Sequence, residues 1–292
     1  MKNILTETKS KKGRPLILDG AVGSLIQQRG LKRDPILWTS GLNITSQDEI
    51  VKIHKEYIEA GADIITTNTF RTNPASLKNS HLKISEEGFV KAGVNCAKRA
   101  VGNSEVLIAG SNPPAEDSYQ QERTLSRQEL EDNHHKHIDL LLENECDIIL
   151  NETQSHFDEI KIICEFCASK NIDWIMSLLF TNDFKILSGE ELTEVIELVN
   201  EFKPSAIGLN CIAPASALSF LNDHSFNYPW GIYLNCGSGE LTDEEISCGV
   251  SPAQYIEDIL KIENSELTFV GSCCGSNPAH TKMLRENFDQ KN

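Results

Sequence analysis

The stretch 46–67, SQDEIVKIHKEYIEAGADIITT, holds the reading that decides the fold. Residues 46–59 repeat apolar side chains at a helical period. After a break of small residues, 63–67 form a short run rich in β-branched residues, the pattern of a strand buried on both faces. The same alternation continues from one end of the chain to the other. Strands are predicted at 15–19, 63–67, 106–110, 147–150, 174–179, 206–210, 231–234 and 268–271. Helical patterns lie between them at 46–59, 86–100, 126–143, 156–168, 190–202 and 252–261, and 278–288 reads as a closing helix. Ser46 with Glu49, Ser126 with Glu129 and Ser155 with Asp158 each predict a capped helix start. Eight such units predict an α/β fold, a single-domain (β/α)8 TIM barrel over 15–292 behind a polar N-terminal extension at 1–14.

Composition narrows the function classes. The 292 residues suffice for one large core. With 27 basic against 43 acidic residues the formal charge is −16, which repels phosphate backbones and anionic lipid, so neither nucleic acid nor membrane is an expected partner. The first fourteen residues contain no apolar stretch long enough for a signal peptide or a span, and a soluble, cytoplasmic protein is expected. Nine cysteines, an odd number without dense spacing, point to reduced thiols rather than a disulfide framework.

Barrel chemistry sits at the C-terminal ends of strands. The sixth predicted strand ends Gly208-Leu209-Asn210-Cys211, and the eighth ends Gly271-Ser272-Cys273-Cys274-Gly275. Three sulfurs from two positions far apart in sequence can therefore converge on one mouth. Adjacent residues of a regular strand face opposite ways, so Cys273 and Cys274 share a metal only if the chain bends, which the flanking glycines Gly271 and Gly275 permit. Three thiolates suit Zn2+ and leave a fourth tetrahedral position open. That site carries a net −1 charge, a poor Lewis acid for water but a good holder of an electron-rich thiolate, which points to alkyl transfer to sulfur. Asp19 and Gly20 end the first strand, Asn68 follows the second, and Glu152 follows the fourth. Carboxylates beside amide groups suit a thiol substrate that also bears an ammonium group.

Taken together these segments resemble the homocysteine S-methyltransferase family. The resemblance is carried by Leu18-Asp19-Gly20-Ala21, the run from Gly61 to Phe70, Glu152-Thr153, Gly208-Leu209-Asn210-Cys211 and Cys273-Cys274-Gly275, and it covers nearly the whole chain. It implies zinc on Cys211, Cys273 and Cys274, with homocysteine as thiol acceptor and methionine as product. It also implies Asp19, Gly20 and Glu152 at the amino-acid end of the substrate, with Asn68 and Asn210 as further substrate contacts. A sulfonium donor, S-methylmethionine or S-adenosylmethionine, is expected; betaine, another small thiol, or a non-catalytic zinc or thiol sensor are the alternatives. A zinc hydrolase is disfavoured because no histidine joins the ligand set. The chain departs from the family pattern at Ser272 and Ser276-Asn277, at Ser111-Asn112-Pro113-Pro114 and at Leu234. Trp38, Tyr119, Trp230 and Tyr233 are candidates for cation-π contact with a methylated cation.

Other patterns read as structural. Cys164 and Cys167 lie within a helical pattern and are expected as buried helix thiols, and Cys96, Cys146, Cys236 and Cys248 as buried or unreactive ones. His134, His135 and His137, amid Glu131 and Asp132, read as a solvated helix face. Gly237-Ser238-Gly239 reads as a loop.

Overall fold

Runs of β-branched residues bury both faces of a strand only inside a sheet covered on each side, and here they form a barrel. The computed structural model describes residues 3–238, 246–262 and 267–290. The first half contains α1 (Ile4–Lys12), β1 (Leu16–Ile17), α2 (Val22–Gln28), α3 (Leu42–Thr45), α4 (Gln47–Glu59), β2 (Ile64–Thr66), α5 (Pro74–Lys78), α6 (Glu86–Val101) and β3 (Leu107–Asn112). It continues with α7 (Arg127–Glu143), β4 (Ile148–Gln154), α8 (Phe157–Lys170), β5 (Trp174–Leu178), α9 (Leu192–Glu201) and β6 (Ala206–Asn210). The last part holds α10 (Pro214–Asp223), β7 (Trp230–Leu234), β8 (Gly237–Ser238), β9 (Ser247–Cys248), α11 (Pro252–Ile262), β10 (Leu267–Ser272) and α12 (Pro278–Gln290).

Eight strands pair in the order β1-β10-β7-β6-β5-β4-β3-β2, all parallel. The two ends of this sheet meet at a bridge between Leu18 and Ile64, where Asp63 N donates to Ile17 O at 2.7 Å and Asp19 N to Ile64 O at 2.9 Å. The sheet is thereby a (β/α)8 TIM barrel. Every residue of β5, β6, β7 and β10 is buried, as the apolar runs require. Among the described residues no helix is long and apolar enough to cross a membrane.

The N-terminal end of the barrel is tied by charge. The Arg14 guanidinium, buried, forks onto Asp63 at 2.6 and 3.3 Å, and its Nε donates to Asp289 of α12 at 2.6 Å. Asp63 also accepts the Ile17 amide at 2.9 Å, so one carboxylate pins β1, β2 and the closing helix at the seam. The first residues join this floor: α1 is capped by Asn3, whose amide donates to Ser205 O at 2.7 Å, and Leu5 is fully buried.

Of the three anticipated caps, only Ser126 and Glu129 form a reciprocal capping box. Ser46 precedes α4 without a side-chain hydrogen bond. Ser155 is spent elsewhere, donating to Leu179 O and accepting from Leu187 N, each at 2.9 Å, so α8 starts from His156 uncapped. The antiparallel pair β8 and β9 was not anticipated; Gly237 and Ser238 are strand residues, and Gly239 lies outside the described residues.

Removing the pin leaves Arg14 buried without its fork, so Asp63→Ala is expected to cost about 3–5 kcal/mol of unfolding free energy. Urea titration followed by circular dichroism checks this; a loss below about 1 kcal/mol would show that the seam holds without it.

Candidate metal centre and substrate pocket

The three cysteines end two strands separated only by β7, and the geometry they adopt depends on where each strand stops. β6 ends at Asn210, and Cys211 takes a left-handed φ of 55°, unusual for a residue with a side chain. Its carbonyl accepts from Asn235 Nδ2 at 3.0 Å, which fixes that turn. β10 ends at Ser272, so Cys273 and Cys274 lie beyond the regular strand, with Cys273 N donating to Leu234 O at 2.7 Å. The bend falls at Gly275, with φ 85°, where a Cβ would lie 2.3 Å from the backbone of Gly237. Gly271 stays within the strand; its missing Cβ gives room to Leu18 instead.

As a result the Cys211 sulfur lies 2.7 Å from that of Cys273 and 3.9 Å from that of Cys274, and all three fall within 4.8 Å of one another. A tetrahedral ion with metal-sulfur bonds of ~2.3 Å needs ligand separations of roughly 3.8 Å, close to the second of these and about 1 Å wider than the first. Electrostatics also favour a cation at their centre. The Cys273 thiol is held well above its ordinary value by hydrogen bonds to Cys211 and Cys274 and by burial, while Cys274 is pushed well below because both others donate to it. A cation at their centre would favour ionisation of all three thiols.

Two carboxylates share the mouth, within a cavity of about 530 Å³. Asp19 accepts from Thr66 N and Thr66 Oγ1, each at 2.9 Å. Burial nevertheless raises its pKa well above the ordinary carboxylate range, and Glu152 adds to the rise. Glu152 itself is pushed up to about 7 by burial and by Cys211, against a hydrogen bond from Ser111. The register of β4 shifts between Asn151 and Gln154, with Thr153 at φ 60°, and this irregularity places Glu152 on the cavity wall. Gly20 lines the same cavity; a Cβ there would meet Ser276 Oγ at 2.5 Å and Tyr57 Oη at 2.8 Å.

The anticipated amides are placed differently. Asn210 is fully buried and stands behind the wall: its Oδ1 accepts from Thr153 N at 3.1 Å and Ser177 Oγ at 2.9 Å, and its Nδ2 donates to Thr153 Oγ1 at 2.9 Å. It holds the turn that carries Glu152 rather than facing the cavity. Asn68 lines the cavity, but its side-chain amide is engaged by Thr39 and Asn43 at 3.0 to 3.2 Å. Of the aromatic candidates Trp38, Tyr119 and Tyr233 line the cavity, whereas Trp230 is core, packed against Phe226 at 4.8 Å. Tyr119 shares the cavity wall with Cys211. Thr66, Ser111 and Ser276 were not singled out as site residues; the available signal was that Thr66 and Ser111 lie at the C-terminal ends of β2 and β3 and that Ser276 follows Cys274 by two residues.

Among the other cysteines, Cys164 and Cys167 are buried within α8, and Cys96, Cys146 and Cys236 are buried too. Cys248 is exposed on β9, because that hairpin lies outside the barrel core. The histidine reading is corrected as well. His134 and His137 are fully buried, and only His135 is partly exposed, stacked on Phe166 at 4.0 Å. His134 Nε2 pairs with Glu159 at 2.6 Å; His137 contacts Asn112 and Thr72, each at 2.9 Å. Burial alone would raise the Glu159 carboxyl, but His134 and Arg123 hold it down to about 2. Glu159 also accepts the Ala115 amide at 2.7 Å and Arg123 at 3.0 Å, anchoring both ends of the loop that carries Tyr119.

With the geometry in view, the relatives are informative. The family model described as homocysteine S-methyltransferase matches residues 16–288. The chain belongs to the homocysteine S-methyltransferase family. Homocysteine S-methyltransferase 2 of Arabidopsis thaliana is 21% identical over 99% of this chain and 96% of its own. The homocysteine S-methyltransferase of Escherichia coli is 24% identical over 92% and 94% of the two chains. The selenocysteine Se-methyltransferase of Brassica oleracea is 22% identical over 99% and 92%. In structure the chain is similar to the metallated form of the E. coli homocysteine methyltransferase MmuM, with a TM-score of 0.79 at 22% identity, covering 97% of this chain and 99% of that one. That likeness extends to the barrel fold. As a member of this family the chain is a methyltransferase, and its three-cysteine cluster is where a metal would be held.

Two outcomes are expected. Freshly reduced protein should take up one equivalent of Zn2+ by elemental analysis after gel filtration, and Cys273→Ser should fall far below one; equal uptake would remove the cysteines as the site. Burial holds His137 down to about 3 and His54 to about 4, so the unfolded chain takes up protons there first and these two imidazoles draw stability down as pH falls from about 6.5 toward 4, against the opposite contribution of the raised Asp19 and Glu152 carboxyls. The Glu159 contribution, full above about 4.3, should be lost only below that value. Scanning calorimetry from pH 7.5 to 4.5 on wild type and His137→Gln checks this: the wild type should lose stability relative to the variant as pH falls.

Proposed function

We propose that this chain is a zinc-dependent enzyme that moves a methyl group from a sulfonium donor, S-methylmethionine or S-adenosylmethionine, to the thiol of homocysteine, forming methionine. The observation that carries the reading is the convergence of three cysteine sulfurs within 4.8 Å beside one buried and one half-buried carboxylate in one cavity. Cys211, Cys273 and Cys274 would hold the zinc, which when bound would supply the positive charge that favours the acceptor sulfur as thiolate near neutral pH.

The residues around it bind and orient. Asp19, fixed by Thr66, and Glu152, fixed by Ser111, offer carboxylate oxygens to the acceptor's ammonium, and that cation keeps both ionised despite burial. The exchange balances simply: the acceptor thiol gives up its proton, one carbon-sulfur bond of the sulfonium breaks as the new one forms, and the donor departs as a neutral thioether. Trp38, Phe70 and Tyr119 line the cavity with aromatic surface suited to a methylated cation. The barrel's contribution is alignment of sulfur, methyl carbon and leaving sulfur.

The test is a product assay. Reduced, zinc-loaded protein is given homocysteine with S-methylmethionine, S-adenosylmethionine or betaine in turn, and methionine is measured by mass spectrometry. Methionine is expected with a sulfonium, falling to background in Cys273→Ser. Glu152→Gln should raise the homocysteine KM roughly 10- to 100-fold, the worth of a charge-assisted hydrogen bond. Zinc-bound protein that forms no methionine with any donor would sink the proposal.

A further inference from the structure

One cation in the cavity is left without a full set of partners. Arg71 follows β2 and lines the cavity, with its side chain only 15% exposed. Its Nη1 donates to the main-chain oxygen of Glu116 at 2.8 Å, and its Nη2 reaches Asp117 only at 3.5 Å. That carboxylate is itself 59% exposed, so water competes for it. The Glu116 carboxylate is turned away, accepting from Thr124 and Leu125. The other buried arginines are balanced differently. Arg14 meets Asp63 and Asp289 at 2.6 Å, and Arg123 meets Asp158 and Glu159 at 3.0 Å. A guanidinium withdrawn from water beside one distant, solvated carboxylate is a site for an anion, and its planar fork matches another carboxylate.

The surroundings specify which one. The guanidinium lies over the Phe70 ring at 5.6 Å from its centre, and Phe70 meets Trp38 edge-on at 5.8 Å. Tyr119, from the loop that supplies the Glu116 contact, lines the same cavity as Arg71 and Cys211. Arg71 thus stands with the aromatic wall, at the rim where Asp117 meets solvent, whereas Asp19 and Glu152 sit at the strand ends. A molecule that places a methylated cation against Trp38 and Tyr119 and carries a carboxylate a few bonds away satisfies both features together.

We propose that Arg71 selects the methyl donor by its carboxylate: the donor is a sulfonium that also bears an α-carboxylate, seated with its sulfur toward the cysteines and its carboxylate on the guanidinium. This rests on the sulfonium reading above and assigns, within it, the residue that holds the α-carboxylate both named donors carry. The amino-acid end of the acceptor is left to Asp19 and Glu152.

The experiment compares zinc-loaded wild type, Arg71→Gln and Arg71→Lys with two donors: S-methylmethionine and its decarboxylated analogue, (3-aminopropyl)dimethylsulfonium. In Arg71→Gln, kcat/KM for S-methylmethionine should fall roughly 10- to 100-fold, mainly through KM, while the analogue changes less than about threefold and the homocysteine KM holds. Arg71→Lys, which keeps the charge without the fork, should recover part of the loss. Equal losses with both donors, or a rise in the homocysteine KM instead, would overturn the proposal. Calorimetric binding of S-methylmethionine to wild type and Arg71→Gln, without acceptor, separates this outcome from failure of the methyl-transfer reading. Wild-type binding that weakens on substitution supports Arg71 even if no methionine forms, and equal binding to both removes it. Circular dichroism and melting temperature establish that each variant is folded.

Discussion

The seam between β1 and β2 is the constraint on which the rest depends. A parallel sheet of eight strands has two open edges, and here they meet through a single bridge reinforced by two main-chain hydrogen bonds. Asp63 and Arg14 lie buried under that bridge and bring the chain's start, its second strand and its last helix together. Only when the seam is shut does the carboxylate of Asp19, at the end of β1, reach Thr66 at the end of β2 and share a mouth with sulfurs from β6 and β10. Structural ion pairing at one end of the barrel and chemistry at the other follow from the same closure.

The mouth concentrates negative charge by design of its backbone. Three departures from regular structure aim it: the left-handed turn at Cys211, the irregularity of β4 around Glu152, and the tight turn at Gly275. Each brings an acidic group toward the others, which raises Asp19 and Glu152 and leaves the sulfurs unequal in ionisation. Such an arrangement is electrostatically unfavourable alone and favourable around cations, a metal at the sulfurs and an ammonium at the carboxylates. The partly balanced guanidinium of Arg71 is the complementary feature at the rim.

How much of this was legible in the sequence depends on the range of the interactions. Strands announce themselves through continuous apolar runs, and all eight predicted barrel strands are present, with β3 and β4 running on to Asn112 and Gln154. The cysteines were legible because strand ends are where barrels place chemistry, and Gly275 marked the bend. Asn210 was not, because the direction its amide takes is set by Thr153 and Ser177, partners 57 and 33 residues away. The same holds for His134 and His137: local acidic neighbours suggest solvent, while Glu159, Asn112 and Thr72, from other elements, make burial tolerable. Ser155 looked like a cap until Leu179 and Leu187 claimed its hydroxyl.

The separation of the sulfur ligands along the chain has a mechanical side. Cys211 and Cys273 are 62 residues apart, with β7 and α11 between them, yet their side chains meet. An ion gripping both would be a removable staple across that length, adding its binding free energy to the folded state alone. Were an ion held there, folding of the last third of the barrel and supply of that ion would be one coupled equilibrium, and the metal would contribute scaffolding as well as chemistry.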